Sequence, residues 1–391
     1  MLNNEEACYL NHAAQARISQ RVLDVGHEVL RKQPWELHAD EDAAEIRRLY
    51  SGLIHASPNE IAIMPSTAFA ITLAAQNIAK QRERGGRIVV LQDQMNSAVY
   101  GWQGICDKHR SFTLHVVPRP AQDGSWTQSV LAHIDETVVV ACVPPLHWSD
   151  GSLIDLERIA DKCRNFHVDL VIDATQAVGI MPLDVTRLNP CMLASSVHKW
   201  LRAPPGQSLV YIPTRLHATW EPLDQHGRSR DHGSSTVPWN AIPDEMGPRG
   251  YPEVFLPGAC KFDSGGKPNP LLLPMLRASL EEVATLDVGA AQQKLRKLIE
   301  PLIAWAEERG WGVPNLCAGH LIGLRPTNMT VKEMVDIGSK LRDVGVYIAV
   351  RCGVFRVSPY VENTTEDIER LLRGLGEFAT KQGESRSKQN Y

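Results

Sequence analysis

The chain has 391 residues, 43% of them hydrophobic and 22% charged, values typical of a globular protein with room for two or three domains. Its 41 basic and 45 acidic side chains give a net charge of −4, which removes the electrostatic reason to expect a nucleic acid or an anionic membrane as partner. No apolar run approaches the ~20 residues of a membrane helix, and the N-terminus lacks a signal-peptide pattern. We therefore expect a cytoplasmic protein.

Strand-like and helix-like segments alternate between about residues 60 and 215, which predicts an α/β fold with a mostly parallel sheet covered by helices. Several of the strand segments are continuous apolar runs, as burial on both faces of a sheet requires. The seven predicted strands are Ile61–Met64, Arg87–Leu91, Leu114–Val117, Thr137–Val143, Asp169–Ile172, Met192–Ala194 and Ser208–Ile212. Helices are predicted at Ala68–Arg82, Ser97–His109 and Leu153–Asn165.

Residues 213–261 have many prolines and no periodicity, which predicts a long irregular segment of the kind that usually carries function. The rest of the chain predicts a smaller α+β domain. Its helices are predicted at Asn269–Leu286, Ala290–Arg309, Val331–Val344 and Thr365–Gln382, and its strands at His320–Leu324, Tyr347–Val350 and Val354–Val357. We divide the chain into a large domain, 1–260, and a small C-terminal domain, 261–391.

The eight cysteines are scattered, with no CxxC pair and no Cys/His set at zinc spacing. This distribution predicts reduced thiols and no metal site.

The most informative stretch is VDLVIDATQAVG, followed by ASSVHKW. Asp173 ends an apolar strand, and open α/β sheets bind ligands at the carboxyl ends of their strands. Lys199 follows the next strand, beside Ser196 and His198. A strand-end carboxylate and a lysine flanked by small polar groups suit pyridoxal phosphate (PLP), because the lysine forms a Schiff base and the carboxylate keeps the ring nitrogen protonated.

A second segment, MPSTA, passes from a strand into an apolar helix. The hydroxyls of Ser66 and Thr67 and the free backbone N–H groups through Ala68 can hold a phosphate at the positive end of the helix dipole. Taken alone, the segment is equally typical of ordinary helix capping.

With these motifs, the sequence resembles the class V aminotransferase family of fold-type I PLP-dependent enzymes, a group that includes cysteine desulfurases, kynureninase and isopenicillin epimerase-like proteins. The resemblance extends from YLNHA near the N-terminus to RVSP and NT near the C-terminus, and DATQAVG and SSVHKW are its most specific blocks. It implies that Lys199 carries the cofactor, that Asp173 pairs with the pyridine nitrogen and that Gln176 bonds the 3-oxygen. It also implies a set of phosphate ligands: Ser66, Thr67, Ser196 and His198.

The resemblance implies two further cofactor contacts. QMNSAVYGW matches the family segment whose aromatic or histidine ring stacks on the cofactor; here Met95 stands at that position, either as a softer stacking partner or as a core residue. FDSGGKPNP matches a segment that reaches the phosphate of a neighbouring subunit, where Gly266 offers only backbone N–H. A homodimer with shared active sites follows from the resemblance.

Three residues are candidates for substrate binding. Arg356 lies in an otherwise apolar strand and is suited to a two-point grip on a substrate α-carboxylate. His147 and Trp148, in PLHWSDG, fall in the loop that resembles the family's substrate-side loop, and either is also compatible with a place in the core.

The reaction is chosen by what is missing. A desulfurase needs a cysteine nucleophile on a mobile loop, and here only Cys352 precedes Arg356, in the short stretch VRCGVFR. We therefore favour a lyase that removes a β-substituent, by C–S cleavage of a cysteine-derived amino acid. An epimerase, cyclase or aminotransferase of specialised metabolism stays open, as does a non-catalytic PLP-binding regulator.

Overall fold

The computed structural model describes residues 7–121, 124–231, 251–265 and 268–389, the last eleven as backbone only. The strands within these ranges are β1 (Cys8–Tyr9), β2 (Ile61–Met64), β3 (Gly86–Leu91), β4 (Phe112–Val117), β5 (Val138–Val143), β6 (Asp169–Asp173), β7 (Met192–Ser196), β8 (Ser208–Tyr211), β9 (Ile322–Leu324), β10 (Val346–Tyr347), β11 (Ala349–Arg351) and β12 (Val354–Val357). The α-helices are α1 (Gln20–Val29), α2 (Ala39–Ile54), α3 (Thr67–Gln81), α4 (Tyr100–Lys108), α5 (Trp126–Ala132), α6 (Leu156–Asn165), α7 (Val185–Leu188), α8 (Thr214–His217), α9 (Leu273–Val283), α10 (Val288–Glu307), α11 (Val331–Asp343) and α12 (Thr365–Gln389).

A seven-stranded sheet forms the centre of the molecule, in the order β2-β8-β7-β6-β5-β3-β4. Strand β8 runs antiparallel to both of its neighbours, and the other pairings are parallel. The predicted mostly parallel α/β sheet is thus confirmed, and each predicted strand lies within two residues of an observed one.

Both faces of this sheet are buried, which explains why its strands are continuously apolar. In β2, Ile61 and Ile63 contact one hydrophobic core, whereas Ala62 and Met64 contact the core on the opposite face. The alternation follows from the two-residue repeat of a strand.

Several elements differ from the sequence predictions. Helices α1 and α2 precede the sheet in a region for which no element was predicted. The helix predicted from Ser97 begins instead with a 3₁₀ turn at Asn96–Ala98, and the strand predicted at Tyr347–Val350 is divided between β10 and β11. Of the predicted irregular segment, the described residues contain α8 and a bridge between Arg230 and Phe255; residues 232–250 lie outside the description.

The small α+β unit is a three-stranded antiparallel sheet, ordered β11-β12-β9, covered by α10, α11 and α12. Strand β1 pairs in parallel with β10 and so attaches the N-terminal segment to this unit. The division at residue 260 stays a prediction; α9, which follows it, packs its leucines into the core of the large sheet.

The loop that joins the two units requires two glycines. Gly151 has a φ of +78°, and a side chain there would collide with the Leu321 carbonyl. Gly323 on β9 lies so close to Asp150 that a Cβ would be 2.6 Å from the Asp150 Cβ. Residues 147–151 are thereby held against the small sheet.

No helix in the described part of the chain is long and apolar enough to cross a membrane. All eight cysteines are free thiols, and the described side chains include no His/Cys/Asp/Glu group arranged to hold a metal.

Candidate active site

A cavity of about 370 Å³ lies at the carboxyl ends of the parallel strands, where open α/β sheets bind ligands. It brings together most of the residues predicted from the sequence. Its lining includes Ser66, Thr67, Ala68, Met95, Trp148, Asp173, Gln176, Ser196, His198, Lys199 and Arg356. Gly266 lies outside the described residues, and His147 lies behind the wall of the cavity.

Lys199 occupies the turn that follows β7. Burial lowers the pKa of its amine to about 8, with Asp173 opposing the change and Arg356 and Arg351 adding to it. At pH 7 roughly a tenth of such amines are neutral, a few hundredfold more than for an ordinary lysine. The amine is therefore poised to act as nucleophile and base.

Asp173 is the last residue of β6 and is 8% exposed. One of its carboxylate oxygens accepts a hydrogen bond from the Thr175 backbone N–H at 3.1 Å, which fixes the side chain. The carboxylate and the Lys199 amine share one cavity, so a ring held covalently by the lysine lies within reach of the acid.

Hydroxyl groups cluster at the start of α3. The Thr67 hydroxyl lies 2.9 Å from that of Ser196 and 3.3 Å from that of Ser208. Ser66 caps the helix by accepting a hydrogen bond from the Phe69 N–H at 3.1 Å. Hydroxyl donors at the positive end of a 15-residue helix are suited to a phosphate.

His198 lies beside this cluster, and burial together with the neighbouring Lys199 lowers its pKa. The imidazole is thus neutral at pH 7 and offers one N–H donor. Its backbone carbonyl accepts a hydrogen bond from Ala16, so the N-terminal segment also supports this turn.

Gln176 is held from two sides. Its amide nitrogen donates to the Ala13 carbonyl at 3.1 Å, and its amide oxygen accepts from the Trp200 indole at 2.8 Å. One amide hydrogen is left for a ligand, which fits the predicted bond to the 3-oxygen of the cofactor.

Met95 is half-buried, lines the cavity and caps the 3₁₀ turn at Asn96–Ala98. Its thioether is therefore placed to contact a bound ring, and stacking stays a prediction.

Arg356 is buried at 1% exposure, and burial lowers the pKa of its guanidinium. It donates to the Trp148 carbonyl at 3.2 Å and lies 5.6 Å from the centre of the Trp148 ring. Its Nε–H has no partner among the described residues, and neither does its charge. A buried cation with unsatisfied donors in a cavity is a site for an anion.

The indole N–H of Trp148 donates to the Asp93 carbonyl at 2.6 Å, which fixes the ring against Arg356. Trp148 thus lines the cavity and also orients the guanidinium.

His147 has different surroundings from those predicted. Its imidazole is fully buried, stacks on Trp126 at 5.0 Å and contacts the Gln92 carbonyl and the Ser149 hydroxyl. Burial lowers its pKa. The structure gives His147 a supporting place in the loop, and substrate contact by this residue stays a prediction.

Sequence reasoning missed two parts of the site. Ala13 and Ala14 line the cavity because the N-terminal segment crosses it, and no local motif indicated this. Arg351 also lines the cavity, and a signal for it was available: it stands five residues before Arg356 in a predicted pair of strands.

A larger cavity of about 830 Å³ lies on the other side of the 146–150 loop, beside Arg119 and Asp150. Its described lining residues include no lysine, cysteine or histidine. The chemistry therefore places the active site in the smaller cavity.

The donor set of the smaller cavity fits PLP: an amine for its aldehyde, a carboxylate for its ring nitrogen, and hydroxyl and amide donors for its phosphate and 3-oxygen. The fold and this site define a fold-type I PLP-dependent enzyme.

The family model "Aminotransferase class-V" matches residues 8–246, which is more than half of the chain. The chain belongs to the class V aminotransferase family, and its cofactor is pyridoxal 5′-phosphate.

Three similar proteins illustrate the range of the family. An uncharacterized aminotransferase, YcbU of Bacillus subtilis (strain 168), is 24% identical over 91% of this chain and 89% of its own. The apo structure of a cysteine desulfurase from Thermococcus onnurineus NA1 is 19% identical, with a TM-score of 0.82 and 96% coverage of both chains. The cystine C-S lyase C-DES, in complex with its product cysteine persulfide, is 18% identical, with a TM-score of 0.80 and coverage of 94% and 97%.

Proposed function

We propose that this PLP-dependent enzyme is a lyase that cleaves a C–S bond of a cysteine-derived amino acid by β-elimination. The bound cofactor supplies an electron sink for the substrate α-carbon, and the residues of the chain decide which bond is broken. The proposal rests on one observation, the geometry of the β11–β12 hairpin.

That hairpin has a two-residue turn, Cys352-Gly353. Both residues have positive φ, +48° and +72°, which matches a type I′ turn. Arg351 and Val354, on either side of the turn, are paired across the strands, so the cysteine is fixed at the tip. A thiol held in this way lacks the loop that carries sulfur away from a substrate.

The Cys352 thiol is also poorly activated. Partial desolvation and the nearby Asp93 carboxylate raise its pKa, and a protonated thiol is a weak nucleophile. In β-elimination no protein thiol is needed: the C–S bond breaks, its electron pair leaves with the sulfur, and the sulfur takes a proton.

The other residues have defined tasks in this scheme. Arg356 binds the α-carboxylate with its two-point guanidinium and so orients the α-carbon toward Lys199. Lys199, whose amine is partly neutral near pH 7, removes the α-proton. Asp173 keeps the ring nitrogen protonated, and Trp148 holds Arg356 in place.

The relatives support C–S chemistry, since one solved neighbour is titled a cysteine desulfurase and another a cystine C-S lyase. The desulfurase title also makes the role of Cys352 the decisive test. Aminotransferase, epimerase or cyclase activity is the alternative, because the YcbU relative is named an aminotransferase.

The test is to incubate the PLP-loaded protein with α-amino acids and cysteine S-conjugates and to identify the products. We expect pyruvate and ammonia, and Cys352→Ser and Cys352→Asn should keep turnover within about twofold of the wild type, because Asn also suits the left-handed turn position. Cys106→Ser, which alters a half-buried thiol on α4, is the matched control.

Other outcomes identify the alternatives. Alanine as product, a persulfide on Cys352 and an inactive but folded Cys352→Ser protein would show a desulfurase. Accumulation of the pyridoxamine form would show an aminotransferase, and loss of optical activity an epimerase. The absence of any spectral change with every amino acid tested would favour a regulator.

The proposal includes a homodimer with shared active sites, located in the cytoplasm. Large apolar side chains on the surface support an interface: Trp35 is 77% exposed and Tyr251 75%. Light scattering after gel filtration measures the oligomeric state, and a monomer at micromolar concentration would contradict the dimer.

A further inference from the structure

We propose that Arg351 binds a second anionic group, at the far end of the substrate side chain, so that the preferred substrates are cysteine conjugates with a distal carboxylate or other acid. This inference rests on the proposed lyase function and specifies its substrate class.

The register of the β11–β12 hairpin places Arg351 and Arg356 on the same face. Ala349 is opposite Arg356 and Arg351 is opposite Val354, and residues opposite each other point to the same side of a sheet. Phe355 and Val357 point to the other side, into the core of the small unit. Arg351 is therefore the diagonal neighbour of Arg356.

This neighbour lies closer to the solvent. Two residues along a strand are about 7 Å, so Arg351 stands that far toward the turn from the position opposite Arg356. Arg356 is buried whereas Arg351 is exposed, yet both line the same cavity. Arg356 is thus at the inner wall and Arg351 at the mouth.

Arg351 has no acidic partner. Its one hydrogen bond in the described part of the chain goes to the adjacent Val350 carbonyl, at 2.8 Å. The acids nearest to this mouth are already engaged, because Asp150 and Asp93 both pair with Arg119.

The remaining charges of the cavity leave Arg351 as a surplus cation. Asp173 is the one carboxylate in the described lining, and it serves the ring nitrogen. Arg356 is matched by the substrate α-carboxylate, and the cofactor phosphate lies with the hydroxyl cluster at α3. Burial is the main reason why the pKa values of Lys199 and Arg356 are lowered, and the Arg351 charge lowers both further. A second anion at the mouth would relieve this repulsion.

The separation also matches a substrate. When Arg356 holds the α-carboxylate and Lys199 faces the α-carbon, a side chain that continues past sulfur by one or two carbons extends toward the mouth. Its terminal acid can then meet the planar guanidinium of Arg351 in a two-point contact.

The experiment compares two substrates of equal shape, S-carboxymethyl-L-cysteine and its neutral amide, S-(carbamoylmethyl)-L-cysteine. Binding to the PLP-loaded protein is measured by the stopped-flow absorbance change before turnover, and pyruvate formation is measured separately. We expect the wild type to prefer the acid about tenfold in both affinity and kcat/KM, as a charged hydrogen bond implies.

In Arg351→Gln this preference should disappear while the constants for the amide stay unchanged, and Arg351→Lys should keep part of it. Arg342→Gln, which removes an exposed arginine on α11, is the matched control and should keep the full preference. Equal constants for acid and amide in the wild type, or an unchanged preference in Arg351→Gln, would overturn the assignment.

The two readouts separate this inference from the proposed reaction. Preferential binding of the acid that depends on Arg351, without pyruvate, would support the anion site and contradict the elimination. Pyruvate from acid and amide with equal efficiency would support the elimination and contradict the anion site.

Discussion

His320 makes the stability of the active-site region dependent on pH. This fully buried residue precedes β9, and its Nε2–H donates to the Gln176 carbonyl at 2.8 Å. Its Nδ1 accepts from the Gln292 amide, also at 2.8 Å. Gln292 cannot turn around without loss, because its nitrogen also donates to Ile180 and its oxygen accepts from Gly319. The arrangement therefore requires the neutral imidazole.

Burial lowers the pKa of His320 to about 4, whereas a histidine in an unfolded chain titrates near 6.5. Between these values the unfolded chain binds a proton that the folded protein does not. The stabilisation is therefore complete above pH 6.5 and is lost as the pH falls toward 4. The loss is about 1.4 kcal/mol per pH unit, or about 3 kcal/mol in total.

The assay is urea unfolding of the PLP-loaded protein at pH 7, 6, 5 and 4, for the wild type and His320→Gln. Glutamine keeps a donor for the Gln176 carbonyl but does not titrate, so the variant should be less stable at pH 7 and should lose about one proton's worth of pH dependence. His27→Gln, which removes an exposed histidine, is the control. Identical pH slopes for the wild type and His320→Gln would refute the reasoning.

Three substitutions test the chemistry of the site directly. Lys199→Ala should form no borohydride-reducible adduct with PLP, whereas the surface control Lys80→Ala should form it fully; an adduct of normal stoichiometry in Lys199→Ala would contradict the assignment. Asp173→Asn keeps an acceptor for the Thr175 N–H but loses the charge, so turnover should fall by orders of magnitude with the cofactor retained; near-normal turnover of the loaded variant would exclude this role. Trp148→Phe removes the bond to the Asp93 carbonyl, so KM for the amino acid should rise about fivefold with little change in kcat; an unchanged KM would show that Arg356 does not depend on the indole.

The sequence by itself determined the central sheet and the core of the cofactor site. Continuous apolar runs predicted the strands because their burial on two faces leaves no polar positions, and the strand ends then placed Asp173 and Lys199 at one edge. Ser66 and Thr67 were found for the same reason, since a strand that passes directly into a helix presents its hydroxyls there.

Only the tertiary structure decided the substrate side of the cavity. Ala13 reaches Gln176 across more than 160 positions of chain, and the stacking of His147 on Trp126 joins segments that no local pattern connects. Whether a histidine in a loop faces a substrate or fills a core depends on what packs against it, not on its neighbours in sequence. Arg351 lies between these cases: its residue type and spacing were visible, but its place beside Arg356 depends on a strand register, and one residue of slippage would turn it to the opposite face.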